Sequence, residues 1–249
     1  MRDLEDYQKK YRFEPGEKTQ VLLRRKHVIE IMEKYPHDSI IEIGCGLEPL
    51  FMHFSDYKKM AVVEPGHDFV TRAKKLAEKH KEKIVFFEGC FEEISSKNIE
   101  EFLEYNYIIV SSLVHELEKP TEFMKSLYRV CNKKAIIHIN VPNANSLHRL
   151  IAVKMGIVKD TYELSNQQVL MQRNKVYDME SIISFVTQCG FEVIEKGSFI
   201  PKFLTGAQMD KMLECNIVDE EYYRGLDQII DCFPENGSEI YVQIRKSEK

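Results

Sequence analysis

Five short β-rich runs, separated by stretches of helical periodicity, leave this chain few ways to fold. The runs occupy 39–43, 60–64, 83–87, 107–110 and 135–141, and most of their residues are apolar. A strand with one wet face alternates in polarity, whereas a continuously apolar strand needs cover on both faces. Helical stretches at 68–80 and 120–130 supply that cover, so the pattern predicts a parallel α/β sheet with helices on both sides. Crossovers are then right-handed, and a ligand is expected beyond the carboxyl ends of the strands. Pro49 is expected near the first turn of a further helix over 49–54.

A single domain of 249 residues divides naturally at the changes of rhythm. Residues 1–37 read as a polar arm and an amphipathic helix over 21–35, carried by Val21, Leu22, Val28, Ile29 and Met32. Residues 38–142 form the ligand-binding core, and 143–178, where strand and helix stop alternating, a lid. Residues 179–249 complete the sheet: a helix over 179–189 ended by Gly190, a strand over 191–194, helical segments over 208–213 and 220–232, and a last strand over 239–244. That strand, arriving after a helical excursion, is expected to pair antiparallel at the sheet edge.

Hydrophobic residues make up 43% of the chain, enough for a substantial core and too many for a disordered one. Acidic residues outnumber basic ones by 40 to 35, a net charge of −5, whereas nucleic acids and anionic membranes attract a positive field. No apolar run approaches the ~18 residues of a transmembrane helix, and the charged start Met1-Arg2-Asp3-Leu4-Glu5-Asp6 lacks the apolar stretch of a secretory signal. None of the six cysteines forms a C-x-x-C pair, which argues against a zinc cluster or a redox motif. These features predict a cytoplasmic protein with reduced thiols and no metal. It is expected to act on a small molecule as a monomer or homodimer, with no nucleic-acid or membrane partner.

The chemistry is carried by Ile40-Ile41-Glu42-Ile43-Gly44-Cys45-Gly46. A strand running into Gly-x-Gly lets backbone approach a ligand with no Cβ in the way, and a helix start beyond it offers N–H groups and a positive dipole end. Glu64 follows twenty residues after Gly44, at the end of the next strand. An acidic side chain there can accept hydrogen bonds from both hydroxyls of an adenosine ribose; the alternative is a solvated strand end.

With these residues in place, the sequence resembles the class I S-adenosylmethionine-dependent methyltransferases of small-molecule type. Carrying the resemblance are Glu42-Ile43-Gly44-Cys45-Gly46, Val62-Val63-Glu64-Pro65, Phe87-Glu88-Gly89-Cys90-Phe91 and Ile109-Val110-Ser111-Ser112-Leu113-Val114-His115-Glu116-Leu117, with Gly190-Phe191-Glu192-Val193 matching the penultimate strand. It implies a Rossmann-like, seven-stranded, mostly parallel sheet with the last strand antiparallel and helical lid additions. It also implies S-adenosyl-L-methionine as cofactor, held by Glu42, Gly44, Cys45, Gly46, Glu64, Pro65, Gly89, Cys90, Phe91, Ser111 and Ser112.

Two residues depart from the family pattern. Glu48 stands where a third glycine or small residue is usual, and Cys90 where an aspartate often bonds the adenine amino group. Glu48, repulsive to the cofactor carboxylate, is not counted as a ligand, and adenine recognition is expected from backbone near Cys90 and Phe91 and from apolar packing. A nicotinamide dinucleotide site needs G-x-G-x-x-G, and position 49 is proline; a dehydrogenase therefore ranks below a methyltransferase. A cofactor-binding partner subunit without turnover of its own is a further alternative, left open by the same two departures.

The residues after the fourth run narrow the acceptor. Enzymes methylating amino groups of DNA, and many acting on protein glutamine, resemble one another in an Asp/Asn-Pro-Pro-Tyr/Phe motif there, and catechol-type enzymes begin an acidic metal site. This chain has Ser111-Ser112-Leu113-Val114, which leaves metal-independent O-methylation, with C-methylation as the lesser alternative. His115 is the candidate base, since an imidazole pKa of about 6.5 suits proton removal near neutrality; the alternative is that it only packs at a helix start. Candidate acceptor contacts are Tyr11, Arg12 and His27 near the N-terminus, Asn140 in the fifth run, and Asn143, His148 and Arg149 beyond it. Arginine among them suits a phosphate or carboxylate, so the expected acceptor is polar, phosphorylated or nucleotide-linked. The stretch Pro142-Asn143-Ala144-Asn145-Ser146-Leu147-His148-Arg149 resembles enzymes of surface-glycan and related metabolite modification.

Overall fold

The computed structural model describes residues 4–11, 17–80 and 83–247. Helices α1 (Leu4–Tyr11) and α2 (Glu17–Met32) precede a seven-stranded sheet of β1 (Ser39–Ile43), β2 (Lys59–Glu64), β3 (Ile84–Glu88), β4 (Tyr107–Ser111), β5 (Ile136–Pro142), β6 (Phe191–Phe199) and β7 (Glu239–Lys246). Interleaved with the strands are α3 (His67–Leu76), α4 (Phe91–Lys97), α5 (Ile99–Phe102), α6 (Pro120–Val130), α7 (Leu147–Lys154), α8 (Asn166–Leu170), α9 (Met179–Gln188), α10 (Gly206–Glu214) and α11 (Glu220–Gln228). The spatial order is β3-β2-β1-β4-β5-β7-β6. Every pairing is parallel except those of β7, which runs antiparallel to β5 and β6 and so lies inside the sheet, with β6 rather than the last strand at the edge. Chain order reverses between β1 and β4, which makes their carboxyl ends the place where a crevice opens.

The two sheet faces are separate cores, because side chains alternate across a strand. Ile41 and Ile43 join Ile108, Val110, Ile137 and Ile139 against α6 and α9. Ile40 joins Met60, Val62, Tyr107 and Ile109 against Val28 and Met32 of α2. Glu42 shares the face of Ile40, so a carboxylate points from the middle of β1 toward α2. There it meets an unusual helix: the buried positions of α2 are Val21, Arg24, Arg25, Val28, Ile31 and Met32, an apolar stripe interrupted by two arginines.

Several elements differ from the sequence expectation. The helix over 49–54 is a single 3-10 turn, Leu50–Met52: Leu50 and Phe51 are both buried, and the N–H of Leu50 is taken by Glu42. The helix over 68–80 is α-helical only to Leu76 and tightens to a 3-10 turn over Ala77–His80. Helices α4 and α5 had no clear periodicity to announce them; each is short. Strand β6 runs five residues longer than expected, through an irregularity between Val193 and Glu195. Among the described residues, no helix is long and apolar enough to cross a membrane.

Candidate active site

The crevice at the switch point is built on the loop after β1. Gly44 and Gly46 take φ of +80° and +56°, left-handed values that a side chain rarely adopts. A Cβ on Gly46 would lie 3.7 Å from the Tyr11 hydroxyl, in the space where a ligand would approach the backbone. Arg25 braces the loop from behind: its Nη1 lies 2.8 Å from Glu42 Oε1, while Nε donates to the Glu48 carbonyl at 2.8 Å and Nη2 to the Cys45 carbonyl at 3.2 Å. Glu42 Oε2 accepts the Leu50 N–H at 2.9 Å. Glu42 is 1% exposed, and burial holds its carboxyl above the usual range despite Arg25. It is not among the residues that line this cleft, and acts on the loop from behind as a buried strut.

Glu64 closes the other side. Its Oε1 accepts the Gly66 N–H at 2.8 Å and its Oε2 the Gly46 N–H at 3.3 Å, so one carboxylate ties the loops after β1 and β2. At 5% exposure, burial pushes its pKa up to about 7, partly offset by the backbone amides it accepts from. Cys45, Pro65, Cys90, Phe91, Ser111 and Ser112 also line this cleft. Gly89 does not: with φ of +144° it donates to the Glu64 carbonyl at 3.1 Å and serves the turn. The Ser111 hydroxyl is buried without a hydrogen-bond partner. Glu48 reaches the cleft too, and its carboxylate lies 3.4 Å from His53 Nε2.

A second cavity of about 290 Å³ adjoins the first, and Arg24, Ser112 and Arg173 line both. Ser112, at the junction, holds φ of +55° and donates its N–H to the Asn140 carbonyl at 3.0 Å. A non-glycine residue in that region carries strain of about 1–3 kcal/mol, which surrounding structure must hold in place.

The expected acceptor residues divide. Asn143, His148 and Arg149 line the second cavity. The Asn143 amide is engaged in scaffolding, donating to the Glu235 and Gly237 carbonyls, both at 2.9 Å. Tyr11 sits instead over the cofactor cleft, edge-on to Phe69 at 5.8 Å between ring centroids. His27 lines neither cavity: Asp227 Oδ1 lies 2.7 Å from its Nε2 and Phe199 stacks on its ring. Asn140 is buried behind the wall, where its amide donates to Glu239. Arg12 lies outside the described residues. His115, 1% exposed, lines neither cavity; its Nε2 is 3.8 Å from Glu116 Oε1, and it is Glu116 that reaches the cleft, 3.8 Å from Arg173 Nε.

Three wall residues escaped the sequence reading. Glu116 was hidden beside a more conspicuous histidine. Lys202 and Glu239 come from distant segments; the one local signal was a lone lysine inside the apolar run Phe199-Ile200-Pro201-Lys202-Phe203-Leu204.

A family model described as a methyltransferase domain matches residues 10–196. The chain belongs to this family. Its fold is that of class I S-adenosylmethionine-dependent methyltransferases, and S-adenosyl-L-methionine is its cofactor. Similar solved structures include a SAM-dependent methyltransferase from Thermotoga maritima, with TM-score 0.58, 14% identity, 91% of this chain and 89% of that chain covered. The 1,6-didemethyltoxoflavin-N1-methyltransferase of Burkholderia thailandensis, solved with S-adenosylhomocysteine, gives TM-score 0.57 at 9% identity over 90% of this chain and 77% of that one. The N-methyltransferase NodS of Bradyrhizobium japonicum, also with S-adenosylhomocysteine, gives 0.53 at 10% over 90% and 86%. Likeness at such identities speaks for the fold. A comparison with curated proteins finds no match.

The residues present suit the cofactor. Glu64 offers a buried carboxylate to ribose hydroxyls, the Gly44–Gly46 loop leaves open the space a Cβ would take, and the unpartnered Ser111 hydroxyl lines the same cleft.

Proposed function

We propose that this methyltransferase methylates a hydroxyl group of a polar small molecule, without a metal. The observation that carries the reading is the meeting of two cavities at Ser112: one lined by the glycine loop and Glu64, the other walled largely by polar side chains. Bound S-adenosylmethionine supplies an electrophilic methyl group. The chain's own contribution is to hold the acceptor oxygen in line with it, and orientation of that kind is worth up to about 7–11 kcal/mol of barrier. Ser111 stands where an acidic metal ligand would begin, which supports a metal-independent route.

A hydroxyl acceptor loses a proton as the new bond forms. Of the two neighbouring candidates, Glu116 lines the cleft and His115 does not; we assign the proton to the Glu116 carboxylate and a packing role behind it to His115. The test is incubation of the protein with methyl-labelled cofactor and fractionated polar metabolites. Label in an ether of a polar product supports the assignment, and label on an amine contradicts it.

A further inference from the structure

We propose that α7 and the residues just after it are the docking face for a second copy of this chain, whose acidic α10–α11 segment covers them and the mouth of the second cavity.

The helix is the first argument. Five of the eight residues of α7 are apolar, Leu147, Leu150, Ile151, Ala152 and Val153. At about 100° per residue they fall on more than one side of it. A helix this apolar is a core element, yet none of its residues is buried. The chain beyond it adds Met155 and Ile157, 67% and 66% exposed. Ile157 also lines the second cavity, so the apolar face borders that cavity's mouth. Single exposed apolar residues are ordinary, whereas a contiguous patch marks an interaction surface.

Charge names the occupant. Lys154 and Lys159 flank the patch, both exposed, and neither makes an ion pair among the described residues. The carboxylates that follow are engaged within their own loop: Asp160 accepts the Tyr162 and Glu163 N–H groups, and Glu163 accepts that of Lys159. Residues 214–221, from the end of α10 into α11, have the opposite character, with Glu214, Asp219, Glu220 and Glu221 exposed and no lysine or arginine. Asp219 caps α11 and Arg224 answers Glu221, while Glu214 and Glu220 have no ion pair among the described residues. This segment has its own exposed apolar groups, Ile217 and Tyr222.

Each chain thus carries both halves of a complementary pair. A two-fold axis seats α7 of each copy on the 214–222 segment of the other, in two equivalent contacts. Thr205 and Gly206, where α10 starts, line the same cavity as Ile157, so both halves border one cavity and a single partner reaches both. An anionic membrane fits less well, since it would attract the two lysines and repel the four carboxylates at once.

The test is sedimentation equilibrium of the full chain without ligand. A dimer is expected at micromolar concentration. Met155→Glu should weaken it at least about tenfold, at an unchanged circular dichroism spectrum. Lys154→Glu with Lys159→Glu, and separately Glu214→Lys with Glu220→Lys, should each weaken it as well; all four side chains are exposed and unpaired, so the fold does not need them. Mixed in equal amounts, the two reversed chains should pair again, because opposite charges then meet at both contacts. A monomer at high micromolar concentration, a dimer unmoved by Met155→Glu, or reversed chains that stay apart on mixing overturns the proposal. So does a monomer that co-sediments with phosphatidylserine vesicles, which would make this face a lipid surface.

Discussion

The guanidinium of Arg25 lies 2.8 Å from the carboxylate of Glu42, and neither side chain is more than 8% exposed. One partner is in α2, the other in the middle of β1, and the same arginine also holds two carbonyls of the glycine loop. An ion pair inside the fold thus sets the shape of the loop that the cofactor approaches.

Removing one partner strands the other's charge. Arg25→Met should destabilise the protein by about 3–5 kcal/mol near neutral pH, read by urea unfolding. Without the lowering influence of Arg25, the Glu42 carboxyl moves further up, so the deficit should shrink as pH falls and the group protonates. The double variant Arg25→Met with Glu42→Leu should recover much of the loss. A cost below about 1 kcal/mol for the single variant would mean that the pair does not carry the loop.

Glu64 makes an opposite demand on stability. Burial lifts its folded pKa from the ordinary 4.5 to about 7, so the folded chain binds this proton more tightly than the unfolded chain. The stability contributed by the protonated form is complete below pH ~4.5 and is lost as pH rises through about 7, a cost on the order of 3 kcal/mol by pH 8. Glu64→Gln keeps one acceptor oxygen and sets an NH2 against the other backbone N–H, so it should abolish S-adenosylhomocysteine binding, and the stability of the cofactor-free variant should no longer fall between about pH 5 and pH 8 as that of the parent does. Thermal unfolding across that pH range and calorimetry check the two halves; a variant that keeps the parent's pH dependence, or that still binds, contradicts the assignment.

Gly46 and Gly156 separate backbone strain from site chemistry. Both have positive φ, +56° and +71°, and a Cβ on either meets no contact closer than 3.7 Å. Alanine at either position should cost about 1–2 kcal/mol of stability. Only Gly46→Ala should also lower cofactor affinity. Equal affinities in the two variants would place the cofactor elsewhere.

Glu116→Gln should reduce kcat by about 100-fold, within the range for loss of a general base, with little change in cofactor affinity. His115→Asn should act mainly on stability. A variant in which turnover falls for His115→Asn and not for Glu116→Gln returns the proton to the histidine.

What the sequence made legible follows a physical divide. The strands of 39–43, 60–64 and 107–110, Gly44, Gly46 and Glu64 were readable because each signal is local: continuous apolarity, a missing Cβ, a carboxylate at a strand end. The amphipathic pattern of α2 was readable only in part, since Arg24 and Arg25 interrupt the very face that is buried. The acceptor wall was the least legible. Arg24 meets Glu239 across 215 residues of chain, and His27, chosen for its place near the site, is held by Asp227 across 200. No local pattern announces such pairs; the first exists only once β7, which carries Glu239, lies beside β5, and the second only once α11, which carries Asp227, meets α2. His115 drew attention as the residue with the convenient pKa, yet it is the adjacent Glu116 that lines the cleft.

The most direct test of the whole account is calorimetric titration of the purified chain with S-adenosylhomocysteine, with NAD in parallel. The account predicts micromolar binding of S-adenosylhomocysteine, its loss in Glu64→Gln, and no binding of NAD. Binding of NAD in its place, or S-adenosylhomocysteine affinity indifferent to Glu64, would contradict the assignment of the cleft and the function built on it.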